Sequence, residues 1–100
     1  MQTPQHILVI GTATVDIKGR VRTELQLGTS VPGEITPSFG GVGRNVAENL
    51  ARLGQPTILL SAVGGDPFGT EILERTASAG VDVSKVIISS DCHSAAYLAL

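Results

Sequence analysis

Asp16 and the run Gly40-Gly41-Val42-Gly43-Arg44-Asn45 are the residues whose types and spacing could do chemistry. Glycines at 40, 41 and 43 let the backbone take positive φ and let another group approach it closely. A helix follows at once, and its first N–H groups have no partner within the helix. Asn45 at the helix mouth both donates and accepts. Beside bare backbone it suits a neutral, hydroxyl-bearing ligand better than an anion. The plain alternative is a glycine-rich entry that merely lets the helix pack closely. Asp16 is the one ionisable group of the segment Gly11 to Asp16, directly after an apolar run. A carboxylate at a strand end could accept from two neighbouring sugar hydroxyls, or cap its own turn. Arg44 is out of place electrostatically, since a cation in the first turn opposes the helix dipole by about 0.3–1 kcal/mol. Either solvent or some other interaction holds it there.

Other chemistries are excluded by what these motifs lack. Gly11 to Asp16 does not keep the order G-x-G-x-x-G and no helix follows it, so it is a weak dinucleotide fingerprint. Gly40 to Asn45 lacks the Gly-Lys-Ser/Thr ending of a phosphate-cradling P-loop. Asp91-Cys92-His93-Ser94 holds a nucleophile and an imidazole, but adjacent residues point apart and spacing supplies no carboxylate partner. No metal site is expected, because Cys92 and His93 are too few ligands and His6 is remote in sequence. The seven basic residues are scattered and the net charge is −2, which leaves no footprint for nucleic acid. Met1 to His6 carries no Lys or Arg before a short apolar run. It reads as neither signal peptide nor membrane span, and a cytoplasmic location is the default expectation. Cys92 is the single cysteine and agrees with a reducing compartment.

The elements that must position these residues follow from hydrophobic period. One hundred residues, 42% hydrophobic, suit one globular unit. His6 to Ile10 is a β-branched apolar run, the pattern of a strand buried on both faces. Ile17 to Phe39 mixes alternating segments such as Val21 to Leu27 with turns at Gly28, Pro32-Gly33 and Pro37, and predicts one or two exposed antiparallel strands outside the main sheet. Val46, Leu50 and Leu53, with Ala47 and Ala51, predict a helix from Val42 to Leu53 stopped by Gly54. Thr57 to Val63 is another apolar strand. Asp66-Pro67 starts a second helix, Asp as cap and Pro at the first position, with Phe68, Ile72, Leu73 and Thr76 along one face until Gly80. Val86 to Ile88 and Ala95 to Leu100 supply further apolar runs. The alternation predicts an α/β fold with a doubly wound, mostly parallel sheet and a small β excursion. In such sheets ligands gather at the carboxyl ends of the strands, which selects Gly11 to Asp16, Gly40 to Asn45 and Gly64 to Gly69. The last is assigned a structural role.

The arrangement Gly40-Gly41-Val42-Gly43-Arg44-Asn45-Val46-Ala47, then Gly54 and Gly64, closely resembles the N-terminal signature of the ribokinase-like (PfkB) carbohydrate kinases. Gly11 to Asp16, Pro32-Gly33-Glu34 and Val63-Gly64-Gly65-Asp66 with Gly69 support it, so the resemblance covers nearly the whole chain. Gly40-Gly41-Val42-Gly43-Arg44-Asn45 followed by Ala47-Glu48-Asn49-Leu50-Ala51-Arg52-Leu53-Gly54 is most similar to the pseudouridine kinase branch, which phosphorylates a ribonucleoside on its 5′-hydroxyl. The resemblance implies that Asp16 accepts from sugar hydroxyls, that Gly40, Gly41 and Asn45 form the substrate loop, and that Ile17 to Phe39 belongs to a β lid. Thr14 stands where many members carry Asn, which implies one sugar contact shortened or lost. ATP and Mg2+ are implied, with the general base, the ATP pocket and the metal-organising acids in a C-terminal part that this sequence does not contain. Residues 1–100 then read as the N-terminal part of a single kinase domain, inactive alone, whose partner is a small sugar or nucleoside. Arg44 is expected to contact the substrate beyond the sugar. The rival expectations are a non-catalytic polyol-binding module and a homodimerisation unit built on the ribbon.

Overall fold

The computed structural model describes residues 5–100. The absence of a signal sequence read from Met1 to Pro4 lies outside them. Nine elements follow in order: β1 (Ile7–Ile10), β2 (Thr14–Val21), β3 (Gly33–Gly40), α1 (Val42–Arg52), β4 (Thr57–Leu60), β5 (Ala62–Gly64), α2 (Pro67–Ser78), β6 (Ile87–Ser89) and β7 (Ala96–Ala99). β1 runs parallel to β4, Ile7 opposite Thr57 and Ile10 opposite Leu60. β5 runs parallel to β6. The expected strand from Thr57 to Val63 is interrupted at Ser61, whose carbonyl accepts from Ile87 N–H at 2.9 Å. Leu59 and Thr57 exchange backbone bonds with Asp82 across the parallel bridge at Ile58. The two halves therefore act as one strand with β1 on one side and the segment leading to β6 on the other. The parallel α/β architecture stands as expected.

The ribbon is longer and better ordered than its sequence predicts. β2 and β3 pair antiparallel over eight residues each, from Thr14 opposite Gly40 to Val21 opposite Gly33. The strand begins at Thr14 rather than Ile17, so Asp16 sits within β2 and not in a loop. It ends at Val21, and the expected alternation through Leu27 becomes an exposed turn with Leu25 and Leu27 in solvent. β7 joins β2 on its other edge in parallel register, Val15 opposite Ala96 and Asp16 opposite Tyr97. The sheet order is β3-β2-β7.

Both helices form where capping chemistry places them. α2 starts at Asp66, whose carboxylate accepts from Gly69 N–H at 2.8 Å, with Pro67 at the first position. Gly54 and Gly80 follow the two C-caps. The buried faces keep Ala47, Ile72 and Thr76 as expected and differ from the expected ones at larger residues. On α1 it is Gly43, Arg44 and Ala47 that are buried, while Val46 and Leu53 are exposed. Small residues at 43 and 47 bring the helix close onto β1 and β4, and that close approach sets its rotation. On α2 Gly69, Ile72 and Thr76 face inward and Phe68 faces out. The core is two small clusters, Ala13, Val63 and Ile72 with Phe39, Leu73 and Val86, and Ala47, Leu59 and Val81 with Val9 and Ala51. No helix among the described residues is long and apolar enough to cross a membrane.

Candidate functional site

Side chains alternate across a strand, so the β2–β3 register sorts the ribbon into two faces. Val15, Ile17 and Val21 share one with Phe39 and Ile35, and this apolar face meets α2 at its base. Thr14, Asp16, Lys18 and Arg20 share the other with Gly40, Ser38, Thr36 and Glu34. Asp16 Oδ1 accepts from Thr14 Oγ1 at 2.9 Å. The Asp16 carboxylate lies where a side chain at position 40 would stand, since a Cβ on Gly40 would come within 2.4 Å of Oδ2. Gly40 is thus glycine to make room for Asp16. With Oδ1 engaged by Thr14, the carboxylate keeps lone pairs for hydroxyl donors.

The same face holds a residue that periodicity does not single out. Tyr97, inside the apolar run read only as strand, is the register partner of Asp16 on β7 and is 64% exposed. An exposed aromatic ring beside a carboxylate on a polar sheet face is a surface for a planar ring. Its signal lies in a pairing between residues 81 positions apart, which local sequence does not carry.

At the mouth of α1 the glycines serve the chain's own backbone. Gly41, the N-cap residue, has φ 93° and makes no side-chain cap bond. A Cβ there would strike Thr12 O at 2.5 Å, and one on Gly43 would strike Gly11 at 2.7 Å. The loop after β1 and the first turn of α1 are therefore in direct backbone contact, secured by the 2.9 Å bond from Arg44 N–H to Thr12 O. The close approach expected of a ligand at Gly41 and Gly43 is, on the Cβ side, made by the protein itself. Asn45 is exposed at this mouth, next to Gly40 and Gly41.

Arg44 departs from expectation. It is 5% exposed, and its guanidinium donates to Thr76 Oγ1 at 3.0 Å, Asn45 Oδ1 at 3.1 Å, Phe39 O at 3.4 Å and Glu48 Oε1 at 2.8 Å. Neither solvation nor contact with a substrate beyond the sugar explains its place in the first turn. Internal bonds outweigh the modest dipole penalty. Glu48, pushed up by burial but pulled further down by Arg44 and Arg52, stays below its ordinary carboxyl value.

The third loop is a clasp, as assigned. Asp66 accepts from Ser94 N–H and Oγ and from Gly69 N–H, which holds its carboxyl below the ordinary 3.8. Ser94 Oγ accepts in turn from Gly64 N–H at 2.9 Å. The serine is tied to the aspartate and not to His93, which is almost fully solvent-exposed 3.8 Å from Asp66 Oδ2, so these residues do not line up as serine, imidazole and carboxylate in turn. Among the described residues no three His, Cys, Asp or Glu side chains converge to hold a metal ion.

The sequence profile of the pfkB family carbohydrate kinases matches residues 4–100. The chain belongs to the PfkB family. It is 41% identical over all 100 residues to the pseudouridine kinase of Escherichia coli (strain K12), of which it covers 32%. A carbohydrate kinase structure from Agrobacterium tumefaciens superimposes with TM-score 0.89 at 35% identity, over 96% of this chain and 31% of that one. Aminoimidazole riboside kinase from Salmonella enterica, complexed with aminoimidazole riboside and an ATP analogue, superimposes with TM-score 0.76 at 28% identity, over 94% of this chain and 28% of that one. The chain spans about a third of the length of the proteins it matches. The superposition of this PfkB chain with the Agrobacterium tumefaciens carbohydrate kinase takes in 96% of it, the parallel strands and the ribbon together.

Proposed function

We propose that the protein to which this PfkB chain belongs transfers the γ-phosphoryl group of ATP to a hydroxyl of a sugar or ribonucleoside, a pseudouridine-like nucleoside being favoured. The chain supplies the acceptor side as part of a single kinase domain. The observation that carries this reading is the Asp16 carboxylate seated against bare Gly40 on the polar ribbon face, beside the mouth of α1, where no side chain caps the helix. Asp16 accepts from acceptor hydroxyls, Asn45 and the backbone of Gly40 and Gly41 bind the same molecule, Thr14 braces the carboxylate, and Tyr97 faces whatever ring the sugar carries. The polar ribbon face excludes water when it closes over the acceptor, and the apolar face keeps the ribbon seated on α2.

Phosphoryl transfer rests on positioning and electrostatic stabilisation, with Mg2+ neutralising charge on the nucleotide. The residues described here do not make a magnesium site, and Arg44, the buried cation of the region, is held by Thr76, Phe39, Asn45 and Glu48. The general base and the ATP and Mg2+ contacts are assigned to polypeptide beyond these residues. The test is ATP-dependent phosphorylation of a panel of ribonucleosides and free sugars by the full-length protein. Turnover of pseudouridine or another nucleoside supports the reading. Micromolar acceptor binding with no turnover on any member would favour a binding module instead. We also assign the exposed outer end of the ribbon, a hollow of about 230 Å3 bordered by Val21, Val31, Ile35 and Leu100, to contact with a second copy of the chain. Sedimentation of a ribbon-deleted protein checks that assignment.

A further inference from the structure

We infer that Arg44 is a positioning residue that fixes the hydrogen-bonding sense of Asn45, so that the site presents one fixed acceptor, Asp16, and one fixed donor, the Asn45 Nδ2 group. The inference rests on the acceptor-site reading above and goes beyond it by specifying which groups the substrate must offer. An arginine carries only donors. The amide atom of Asn45 that faces Nη1 at 3.1 Å is therefore the oxygen, and Nδ2 is left to the exposed side. The guanidinium doing this is itself immobilised. Its Nε donates to Thr76 Oγ1, and that hydroxyl donates onward to Ile72 O at 2.6 Å, so the anchor lies in the core of α2. Nη2 is held by Glu48 one turn along α1, and Nη1 also reaches Phe39 O, the residue before Gly40.

Two helices and the end of β3 thus converge on one planar group, and its Nη1 edge is directed at Asn45 Oδ1. With both ends of the site fixed, the acceptor must donate a hydroxyl to Asp16 and offer a lone pair to Asn45. A ligand with an ammonium at the Asn45 position would set donor against donor there. Neutral polyols and nucleosides are accepted, and amino sugars charged at that position are rejected.

The test uses the full-length protein and two variants. Arg44→Lys keeps the charge but cannot form the fork. Thr76→Val keeps the shape of the residue and removes the anchor. Both should raise KM for the hydroxyl acceptor about tenfold, the loss of one hydrogen bond's orientation, with KM for ATP within about twofold. The double variant should be no worse than Arg44→Lys alone, because both act through one group. A parallel rise in both KM values, or no change in either, overturns the inference. A reading independent of turnover is the side-chain amide signal of Asn45 by NMR without substrate, expected sharp in the parent and shifted or broadened in Arg44→Lys. An unchanged signal overturns the inference whether or not the protein is a kinase. A parent that phosphorylates no acceptor refutes the proposed function while the amide signal still judges Arg44.

Discussion

The carboxylate of Asp16 and the missing side chain of Gly40 are one device, and they should fail together. In Gly40→Ala the new Cβ would meet Asp16 Oδ2 at 2.4 Å, the movable end of a side chain, so the carboxylate swings away while the backbone stays. Hydrogen bonds to charged groups contribute about 1.5–3 kcal/mol, so Asp16→Ala should raise acceptor KM by about 10–100-fold and lower turnover. Gly40→Ala should follow it in direction with little loss of thermal stability. Steady-state kinetics with acceptor and ATP varied separately checks both, and unchanged kinetics in Asp16→Ala removes it from the site. Tyr97 predicts a different pattern. Stacking on an aromatic ring contributes about 1–3 kcal/mol, so Tyr97→Ala should weaken nucleoside acceptors by about tenfold and leave free sugars unaffected. Equal losses on both would make Tyr97 a packing residue. The residue types at 16, 40 and 45 are legible in the sequence as a candidate binding pattern. Arg44 was not, because a first-turn arginine looks solvated until its partner Thr76, 32 positions away, is brought beside it.

Among the elements, helix limits were readable because their causes are local, with Asp66 and Pro67 opening α2 and Gly54 and Gly80 following the stops. The rotation of α1 was not readable, since a larger residue, Val46, competes in the pattern with Gly43 and Ala47, and only contact with Gly11 decides for the small ones. That contact makes Gly43→Ala costly. Its Cβ would meet backbone atoms of Gly11 at 2.7 Å that cannot swing aside, so a loss of about 1–3 kcal/mol is expected, read as a lowered unfolding midpoint in urea. No loss would mean that the two backbones separate freely. The clasp at the start of α2 gives a pH prediction. The Asp66 carboxyl is depressed below 3.8 by its bonds from Ser94 and Gly69. A depressed folded value stabilises fully above the unfolded one and fades as pH falls through the folded one. Melting temperature should therefore fall as pH drops through 3.8 toward the depressed folded value, and less steeply in Asp66→Asn. Equal slopes would assign the acid sensitivity elsewhere.

At the scale of the whole molecule these 96 described residues make a slab, 64 × 32 × 17 Å, with a radius of gyration of 16.6 Å, against about 13 Å for a compact domain of 100 residues. The alternation of helix and strand made the parallel sheet legible, but not its flatness. The pairing of β7 with β2 was equally hidden, because an apolar run such as Ala95 to Leu100 encodes a strand without naming its neighbour. The slab leaves the apolar side chains of Ile10, Ile87, Ile88 and Leu98 between 59% and 72% exposed. A PfkB chain spanning a third of its relatives' length should therefore bury this surface only against the rest of its own polypeptide. Residues 1–100 expressed alone should take up a hydrophobic dye strongly, and the full-length protein should take up several-fold less per mole. Sedimentation run on the same samples separates self-association from monomeric exposure. Equal, weak uptake by a monomeric 100-residue chain would mean that the slab closes on itself, and would favour the stand-alone binding module over a part of a kinase domain.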